Sequence, residues 1–168
     1  MSTVDAELPK APVVAGPAPR VLIVRAPYYR DVVDGLREGA ERLLSEAGAT
    51  FEGLDVAGAF EMPQAIRIVL DGQGRGPSPG LPRFDAFVAL GCIIKGETDH
   101  YDFICQATMQ GMMHLALQHG IAIGTGLLTV DTLDQAIARS RLDGFNKGAE
   151  AACAALMQVN AARRFSPS

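Results

Sequence analysis

The amino-acid sequence predicts an α/β fold, a three-layer αβα sandwich built around a four-stranded parallel sheet. Four short apolar runs alternate with helical patterns along the chain, and most of these runs are apolar at nearly every position. Such runs are typical of parallel strands that are covered on both faces. Alternating strands and helices form a sheet of this kind through right-handed crossovers, with the helices in the two outer layers.

The first half of the chain contains two strand–helix pairs. The run VLIVRA (21–26) is short, apolar and β-branched, as in a buried strand. Residues 31–48 place Val, Leu and Ala side chains at helical spacing. Residues 51–58 alternate between apolar and other side chains and predict the second strand. Residues 62–72 predict a helix with Pro63 near its start, where a first helical turn tolerates proline.

The second half begins with the most apolar strand of the chain, FDAFVALGCII (84–94). A long helical pattern with an apolar stripe follows at 101–120, and IAIGTGLLTV (121–130) predicts the fourth strand. Two helices complete the chain. The first, at 132–140, can be capped by Asp131 or Thr132, and the second, the Ala-rich segment NKGAEAACAALMQVNAARR, covers residues 146–164.

The length of 168 residues predicts a single domain at 20–168, preceded by a flexible N-terminal arm at 1–19. The arm is rich in Pro, Ala and Val and has no periodicity. Residues 72–83 are rich in Gly and Pro and predict an irregular surface loop. A domain linker is the alternative, but the roughly 70 residues before it are too few to form this layered domain alone.

Composition and charge narrow the class of function. The formal net charge of −4 argues against a nucleic-acid partner, which requires a basic face. No apolar stretch is long enough to span a bilayer, and acidic residues stand where a signal peptide would be apolar. The three cysteines are too widely spaced for a disulfide framework or a CxxC metal site. We therefore expect a cytoplasmic protein with no membrane or nucleic-acid partner and no metal.

Polar and aromatic side chains follow the predicted strands at their carboxyl ends, where parallel sheets bind ligands. Tyr28 follows the first strand, Glu61 the second, the segment KGETDHYDFI (95–104) the third, and Asp131 the fourth. A buried core does not need such a cluster of polar residues. Their common position at one rim of the sheet predicts a catalytic site there.

His100 is the strongest candidate for acid–base chemistry, because a histidine side chain exchanges protons near neutral pH. The alternative is a solvated histidine at a helix N-terminus. Glu97 and Thr98 lie where backbone amides at a helix start can bind an anion. Asp102 could orient the imidazole or act only as a first-turn capping residue.

Arg139 and Lys147 are candidates for phosphate binding, since arginine offers a bidentate fork and lysine a point charge. The alternative for each is a solvated helix face. Tyr28 could stack on a flat heterocycle or pack as a rim aromatic. The chain lacks a GxGxxG segment opening a helix and a GxxxxGK[ST] segment, so a nucleotide site is not supported. These residues predict an enzyme that acts on a small polar substrate.

Four segments in order resemble the 6,7-dimethyl-8-ribityllumazine synthase family over roughly residues 20 to 160. They are GAFEMP (58–63), ALGCIIKGETDHYDF (89–103), LLTVDTLDQAIARS (127–140) and NKGAEAACAAL (146–156). The resemblance implies a doubly wound, flavodoxin-like sheet. It implies the condensation of 5-amino-6-(D-ribitylamino)uracil with 3,4-dihydroxy-2-butanone 4-phosphate in riboflavin biosynthesis. It implies no cofactor or metal, and it implies a homo-oligomer that is a pentamer or a multiple of it, with sites shared between neighbours.

The resemblance also implies roles for individual residues. His100 matches the proton-transfer histidine, and Arg139 matches the arginine that binds phosphate. One departure concerns Thr125, which stands where many members carry a phenylalanine that reaches a neighbouring subunit's pyrimidine site. The remaining matches are Glu97, Thr98 and Lys147 for the butanone phosphate, Tyr28 for stacking on the pyrimidine, Ala59, Phe60 and Glu61 for the ribityl chain and ring, and Cys92, Ile93 and Ile94 beside the uracil.

Three alternatives share these features in part. The archaeal type of riboflavin synthase has the same fold and acts on two lumazine molecules, but the match at His100 and GET argues against it. A non-catalytic flavin- or lumazine-binding storage protein is favoured only by Thr125. A purely structural shell subunit would not need polar residues on the rim.

Overall fold

The computed structural model of the chain describes residues 8–74 and 83–165. A four-stranded, all-parallel sheet lies at its centre, with helices on both faces, so the predicted α/β fold and its three layers are confirmed. The elements are β1 (Arg20–Arg25), α1 (Arg30–Glu46), β2 (Thr50–Asp55), a short 3-10 helix (Ala59–Glu61), α2 (Met62–Gly74), β3 (Ala86–Ile94), α3 (His100–His119), β4 (Ala122–Val130), α4 (Leu133–Ser140) and α5 (Lys147–Phe165).

The strand order is β2-β1-β3-β4, so β1 and β3 form the middle of the sheet. Every residue of β3 from Ala86 to Cys92 is buried, as its apolar sequence predicts. β2 differs from the expectation that the strands are covered on both faces, because it lies at one edge and most of its residues are exposed. Charged side chains join this edge to the sheet, including an ion pair of 2.6 Å between Arg25 and Asp55.

Two apolar clusters fill the spaces between the layers. The larger cluster lies between the sheet and the layer of α1, α4 and α5, and it includes Val21, Ile23 and Leu156. The smaller one lies between the sheet and the layer of α2 and α3, and it includes Phe87 and Met112. Neighbouring residues of a strand point to opposite faces, which is why Val21 and its successor Leu22 belong to different clusters.

Glycines allow α5 to pack closely against its neighbours. A Cβ atom at Gly124 of β4 would overlap the backbone carbonyl oxygen of Ala151, and one at Gly148 would overlap the carbonyl oxygen of Leu36 in α1. Backbone atoms cannot move aside as a flexible side chain can. The start of α5 is therefore fixed against both the sheet and α1.

The predicted arm and loop are described only in part. Residues 1–7 and 75–82 lie outside the described residues, and α2 extends to Gly74, two residues beyond its predicted end. The arm contacts α5 within its described part: the Arg163 guanidinium donates to the carbonyl oxygens of Ala15 at 2.7 Å and Pro17 at 2.8 Å. The predicted flexibility of the arm stays a prediction.

The boundaries of the predicted elements agree with the structure to within a few residues. Thr132, one of the two predicted caps, is the N-cap of α4, and its hydroxyl accepts a hydrogen bond of 3.3 Å from the N–H of Gln135. The 3-10 helix at Ala59–Glu61 was not predicted. It follows β2, which ends at Asp55 rather than at the predicted residue 58.

Candidate active site

At the carboxyl rim of the sheet, the chain changes its winding direction between the neighbouring strands β1 and β3. The chain leaves β1 for α1 on one face of the sheet, whereas it leaves β3 for α3 on the other face. Parallel sheets bind ligands at such a switch in direction, because the two connections separate there. The segments after β1 and β3 contain Tyr28 and the exposed run from Lys95 to His100.

Tyr28 follows β1 at this switch in direction, and 78% of its surface is exposed. Its ring contacts that of Tyr29 edge-on, with 5.1 Å between the ring centroids. A groove of about 370 Å³ runs beside the two tyrosines and is bounded on α4 by Leu133 and Ile137. These two α4 residues were not predicted to belong to a site, although two apolar residues four positions apart on a predicted helix are visible in the sequence.

The 3-10 helix at Ala59–Glu61 presents the segment that was matched to the ribityl chain and ring. Phe60 is 58% exposed. A Cβ atom at Gly58 would lie 3.1 Å from Oε2 of Glu61, so the carboxylate turns back toward the preceding loop. The segment also packs close to α3. An exposed aromatic ring and a carboxylate therefore lie together on the α2–α3 side of the rim.

Cys92, Ile93 and Ile94 form the end of β3. Ile93 packs with the α2–α3 cluster and Ile94 with the opposite cluster, as expected for consecutive strand residues. Cys92 is buried, and this burial raises the pKa of its thiol to about 11. A thiol that keeps its proton at neutral pH is a poor nucleophile, which supports a packing role for Cys92.

The run from Lys95 to His100 is exposed at every position and leads into α3, of which His100 is the first residue. Asp99 precedes the helix but does not cap it with its side chain. The 20-residue α3 thus begins at the rim with backbone N–H groups and the positive end of its dipole, where anions are stabilised. In the described part of the chain, no hydrogen bond joins Asp102 to His100.

Arg139 and Lys147 belong to the opposite layer of the sandwich. The Arg139 guanidinium donates to the carbonyl oxygen of Gln135 at 2.8 Å. The Lys147 ammonium lies 2.6 Å from Glu150 and 5.9 Å from the centre of the Phe145 ring. Within residues 8–74 and 83–165, neither cation forms a hydrogen bond or ion pair with the run from Lys95 to His100.

Thr125 lies on β4, the other edge of the sheet, and its side chain is exposed. Its hydroxyl accepts a hydrogen bond of 3.3 Å from the N–H of Leu127 and lies 3.9 Å from the sulfur of Met109 on α3. The position matched to the family's phenylalanine therefore lies beside α3, whereas the groove next to Tyr28 is bounded by α4.

Two further observations concern the described residues. No group of three or more His, Cys, Asp or Glu side chains lies close enough to hold a metal ion. No helix is both long and apolar enough to cross a membrane.

Comparison with known protein families identifies the family of this chain. The model of the 6,7-dimethyl-8-ribityllumazine synthase family matches residues 18–163, almost the whole chain. The chain belongs to this family. The match includes every residue that was assigned to the candidate site, from Tyr28 to Lys147. The resemblance found in the sequence, and the enzyme class that it implies, are confirmed.

Similar proteins from several bacteria bear this name. The 6,7-dimethyl-8-ribityllumazine synthase of Methylorubrum populi is 41% identical over 152 residues, which are 90% of this chain and 88% of the relative. The synthase of Nitrobacter hamburgensis is 42% identical over 86% of this chain and 86% of the relative. The synthase of Agrobacterium fabrum is 43% identical over 84% of this chain and 93% of the relative. These matches do not favour the storage protein or the archaeal type of riboflavin synthase.

The buried thiol of Cys92 leads to a prediction about stability in alkali. An unfolded cysteine thiol has a pKa near 9.0, whereas burial raises the pKa of the folded Cys92 thiol to about 11. The folded state therefore keeps the thiol proton to a higher pH than the unfolded state does. The contribution of the neutral Cys92 thiol to the free energy of unfolding is complete below pH 9 and is lost as the pH rises toward 11. We expect Cys92→Ala to show a shallower loss of stability than the unchanged protein across this range. Urea denaturation at a series of pH values measures the difference.

Cys153→Ala is the control for this prediction. Cys153 is less buried than Cys92, although burial also raises the pKa of its thiol. Its replacement should change the pH dependence less. Equal slopes for Cys92→Ala and the unchanged protein would contradict the assignment of a buried, neutral thiol at Cys92.

Proposed function

We propose that the protein condenses 5-amino-6-(D-ribitylamino)uracil with 3,4-dihydroxy-2-butanone 4-phosphate to 6,7-dimethyl-8-ribityllumazine, with release of phosphate and water. Membership of the family supports this reaction. The structural observation that carries the proposal is the exposed run from Gly96 to His100, which leads from the buried strand β3 into the N-terminus of α3. The backbone N–H groups at the start of α3 can bind an anion, and the imidazole of His100 belongs to the same helix start.

The pyrimidine would bind at the carboxyl rim between β1 and β3. The exposed ring of Tyr28 can stack on the flat heterocycle. The carboxylate of Glu61 can accept hydrogen bonds from the ribityl hydroxyls. The other residues proposed for this half of the site are Ala59 and Phe60 of the 3-10 helix, Cys92, Ile93 and Ile94 at the end of β3, and Thr125 on β4.

The butanone phosphate would bind at the start of α3. We assign its phosphate to the backbone at Glu97 and Thr98, with Arg139 and Lys147 as the cations. Arg139 uses its guanidinium for one contact with its own helix, and a guanidinium carries five N–H donors in all. Lys147 would exchange Glu150 for the phosphate. The charge that develops on the leaving phosphate would be stabilised by these donors.

His100 would transfer the protons of the reaction. The 5-amino group of the pyrimidine attacks the ketone, water leaves to give a Schiff base, and phosphate is eliminated. The ribitylamino nitrogen then attacks the remaining carbonyl carbon, and a second water leaves as the ring closes. Each step moves protons between nitrogen, oxygen and carbon atoms of the substrates, and an imidazole can accept and return them. Binding both substrates at one rim of the sheet supplies a further part of the rate. The reaction needs no metal or organic cofactor.

We propose that each site is completed by a neighbouring subunit in a pentamer or a multiple of it. In one chain, His100 belongs to the α2–α3 layer, whereas Arg139 and Lys147 belong to the layer of α1, α4 and α5. An assembly would bring the second layer of one chain to the first layer of the next. Exposed apolar side chains on α3 support such contacts; they are Phe103, Met109, Met113 and Leu117.

We place the enzyme in the cytoplasm. Cys92, Cys105 and Cys153 are free thiols, as expected in a reducing compartment.

Replacement of His100 tests the proton-transfer role. We expect His100→Ala to lower kcat by about 100-fold, the usual contribution of a positioned general acid–base group, and to leave pyrimidine binding nearly intact. Turnover is followed by the fluorescence of the lumazine product, and pyrimidine binding is measured by calorimetry. His114→Ala, an exposed histidine later on the same helix, is the matched control. An unchanged kcat would remove His100 from the mechanism.

Replacement of Arg139 tests the phosphate assignment. A hydrogen bond to a charged group contributes about 1.5–3 kcal/mol, so Arg139→Ala should raise the KM for the butanone phosphate by about 10- to 100-fold. The KM for the pyrimidine should stay nearly constant. Arg141→Ala, an exposed arginine paired with Asp143, is the control. A loss confined to pyrimidine binding would show that Arg139 serves the other substrate.

Subunit mixing tests the shared site. Chains carrying His100→Ala and chains carrying Arg139→Ala are unfolded, mixed and refolded together. If neighbours share a site, some interfaces pair an intact His100 with an intact Arg139, and turnover should exceed the mean of the two separate variants. Each variant refolded alone is the control. Turnover equal to that mean, in assemblies shown to be mixed, would place each complete site within one chain.

A further inference from the structure

One buried polar side chain has no role in the site described so far. Asn146 is fully buried in the connection 141–146 between α4 and α5. Its Nδ2 donates to the carbonyl oxygens of Gly35 at 2.9 Å, Ser140 at 2.8 Å and Arg141 at 3.3 Å. The last carbonyl groups of a helix lack partners within the helix, so this amide supplies donors to the end of α4. It also ties that end to α1, which contains Gly35.

The oxygen of the same amide binds the start of the next helix. Oδ1 of Asn146 accepts hydrogen bonds from the N–H groups of Gly148 at 2.9 Å and Ala149 at 3.0 Å, as an N-cap residue does. Of the side chains of this size, an amide provides donors and an acceptor together, whereas a carboxylate provides acceptors only. One side chain therefore caps the end of α4 and the start of α5.

The packing around this amide leaves it little freedom to move. A Cβ atom at Gly39 of α1 would overlap Oδ1 of Asn146, and a Cβ atom at Gly35 would overlap the carbonyl oxygen of Ser140. α1 thus lies directly against both the amide and the end of α4. A rigid contact of this kind transmits a change at one element to the other two.

The two elements that the amide joins carry the two proposed phosphate-binding cations. Arg139 immediately precedes Ser140, and Lys147 immediately follows Asn146. Most of the residues between the two helices are exposed, including Leu142, Asp143 and Gly144, so the buried amide fixes the distance between the cations more firmly than the connection itself.

We propose that Asn146 is a positioning residue, which sets Arg139 and Lys147 in the geometry that binds the phosphate of the butanone substrate. This inference rests on the proposed function, because it assumes that the two cations bind that phosphate. Binding of a phosphate by two cations depends on their spacing, and small displacements reduce it strongly.

Two variants separate positioning from simple stabilisation. Asn146→Ser keeps a short acceptor at the N-cap of α5 and loses the contacts to α4 and α1. Asn146→Asp keeps the acceptor oxygens but places a carboxylate against the three carbonyl groups. We expect the KM for 3,4-dihydroxy-2-butanone 4-phosphate to rise roughly tenfold or more in both, with little change in the KM for the pyrimidine. If Asn146→Asp does not fold, Asn146→Ser carries the test alone.

Two controls accompany these variants. Asn160→Asp makes the same chemical change within α5, the helix that Asn146 caps. The Oδ1 of Asn160 accepts a hydrogen bond from the N–H of Ala15 in the arm. Leu156→Ala removes a fully buried side chain from α5 and lowers stability without touching the amide. All proteins are assayed below their unfolding transitions. Both controls should keep the KM for the butanone phosphate unchanged.

Arg139→Ala distinguishes failure of this inference from failure of the proposed function. If Arg139→Ala raises the KM for the butanone phosphate but Asn146→Ser does not, the positioning role is overturned and the phosphate site stands. If neither variant raises it, the phosphate assignment fails and the positioning role fails with it. In the double variant Arg139→Ala/Asn146→Ser, the increase should be smaller than the product of the two separate increases, because Asn146 acts through Arg139 as well as through Lys147. An increase equal to the full product would overturn the inference.

Discussion

The pairing of β1 with β3 in the middle of the sheet determines the position of the candidate active site. Each strand is buried between two apolar clusters, and each sends the chain to a different face of the sheet. Parallel sheets bind ligands at the carboxyl ends of strands that diverge in this way. The exposed tyrosine after β1 and the exposed polar run after β3 follow neighbouring strands at the same rim, although about 65 residues separate them in the sequence.

The electrostatic part of the site depends on a different set of contacts. Two cations stand on either side of an exposed connection, and a buried amide with five hydrogen bonds joins the helices that carry them. The glycines of α1 and α5 allow the helices to approach closely enough for that amide to reach all its partners. The packing that buries the amide also joins the two helices that carry the cations, so the proposed positioning role links stability to function.

The division of the candidate residues between two layers gives a physical reason for assembly. The imidazole and the helix N-terminus belong to one side of the sheet, and the two cations proposed to bind phosphate belong to the other. A single chain keeps these groups apart, whereas neighbouring chains could bring them together. The exposed apolar face of α3 would be costly on an isolated chain, and its burial between subunits would contribute to the free energy of association.

The sequence by itself determined the fold class, the order of the elements and the family. The apolar runs were long enough to identify buried strands, and the segments around GAFE, GETDH and NKG were distinctive enough to identify a resemblance. The tertiary structure alone decided the exposure of β2, the 3-10 helix after it, the α4 side chains beside Tyr28 and the burial of Asn146. These features depend on contacts between residues far apart in the chain, and local periodicity carries no information about such contacts.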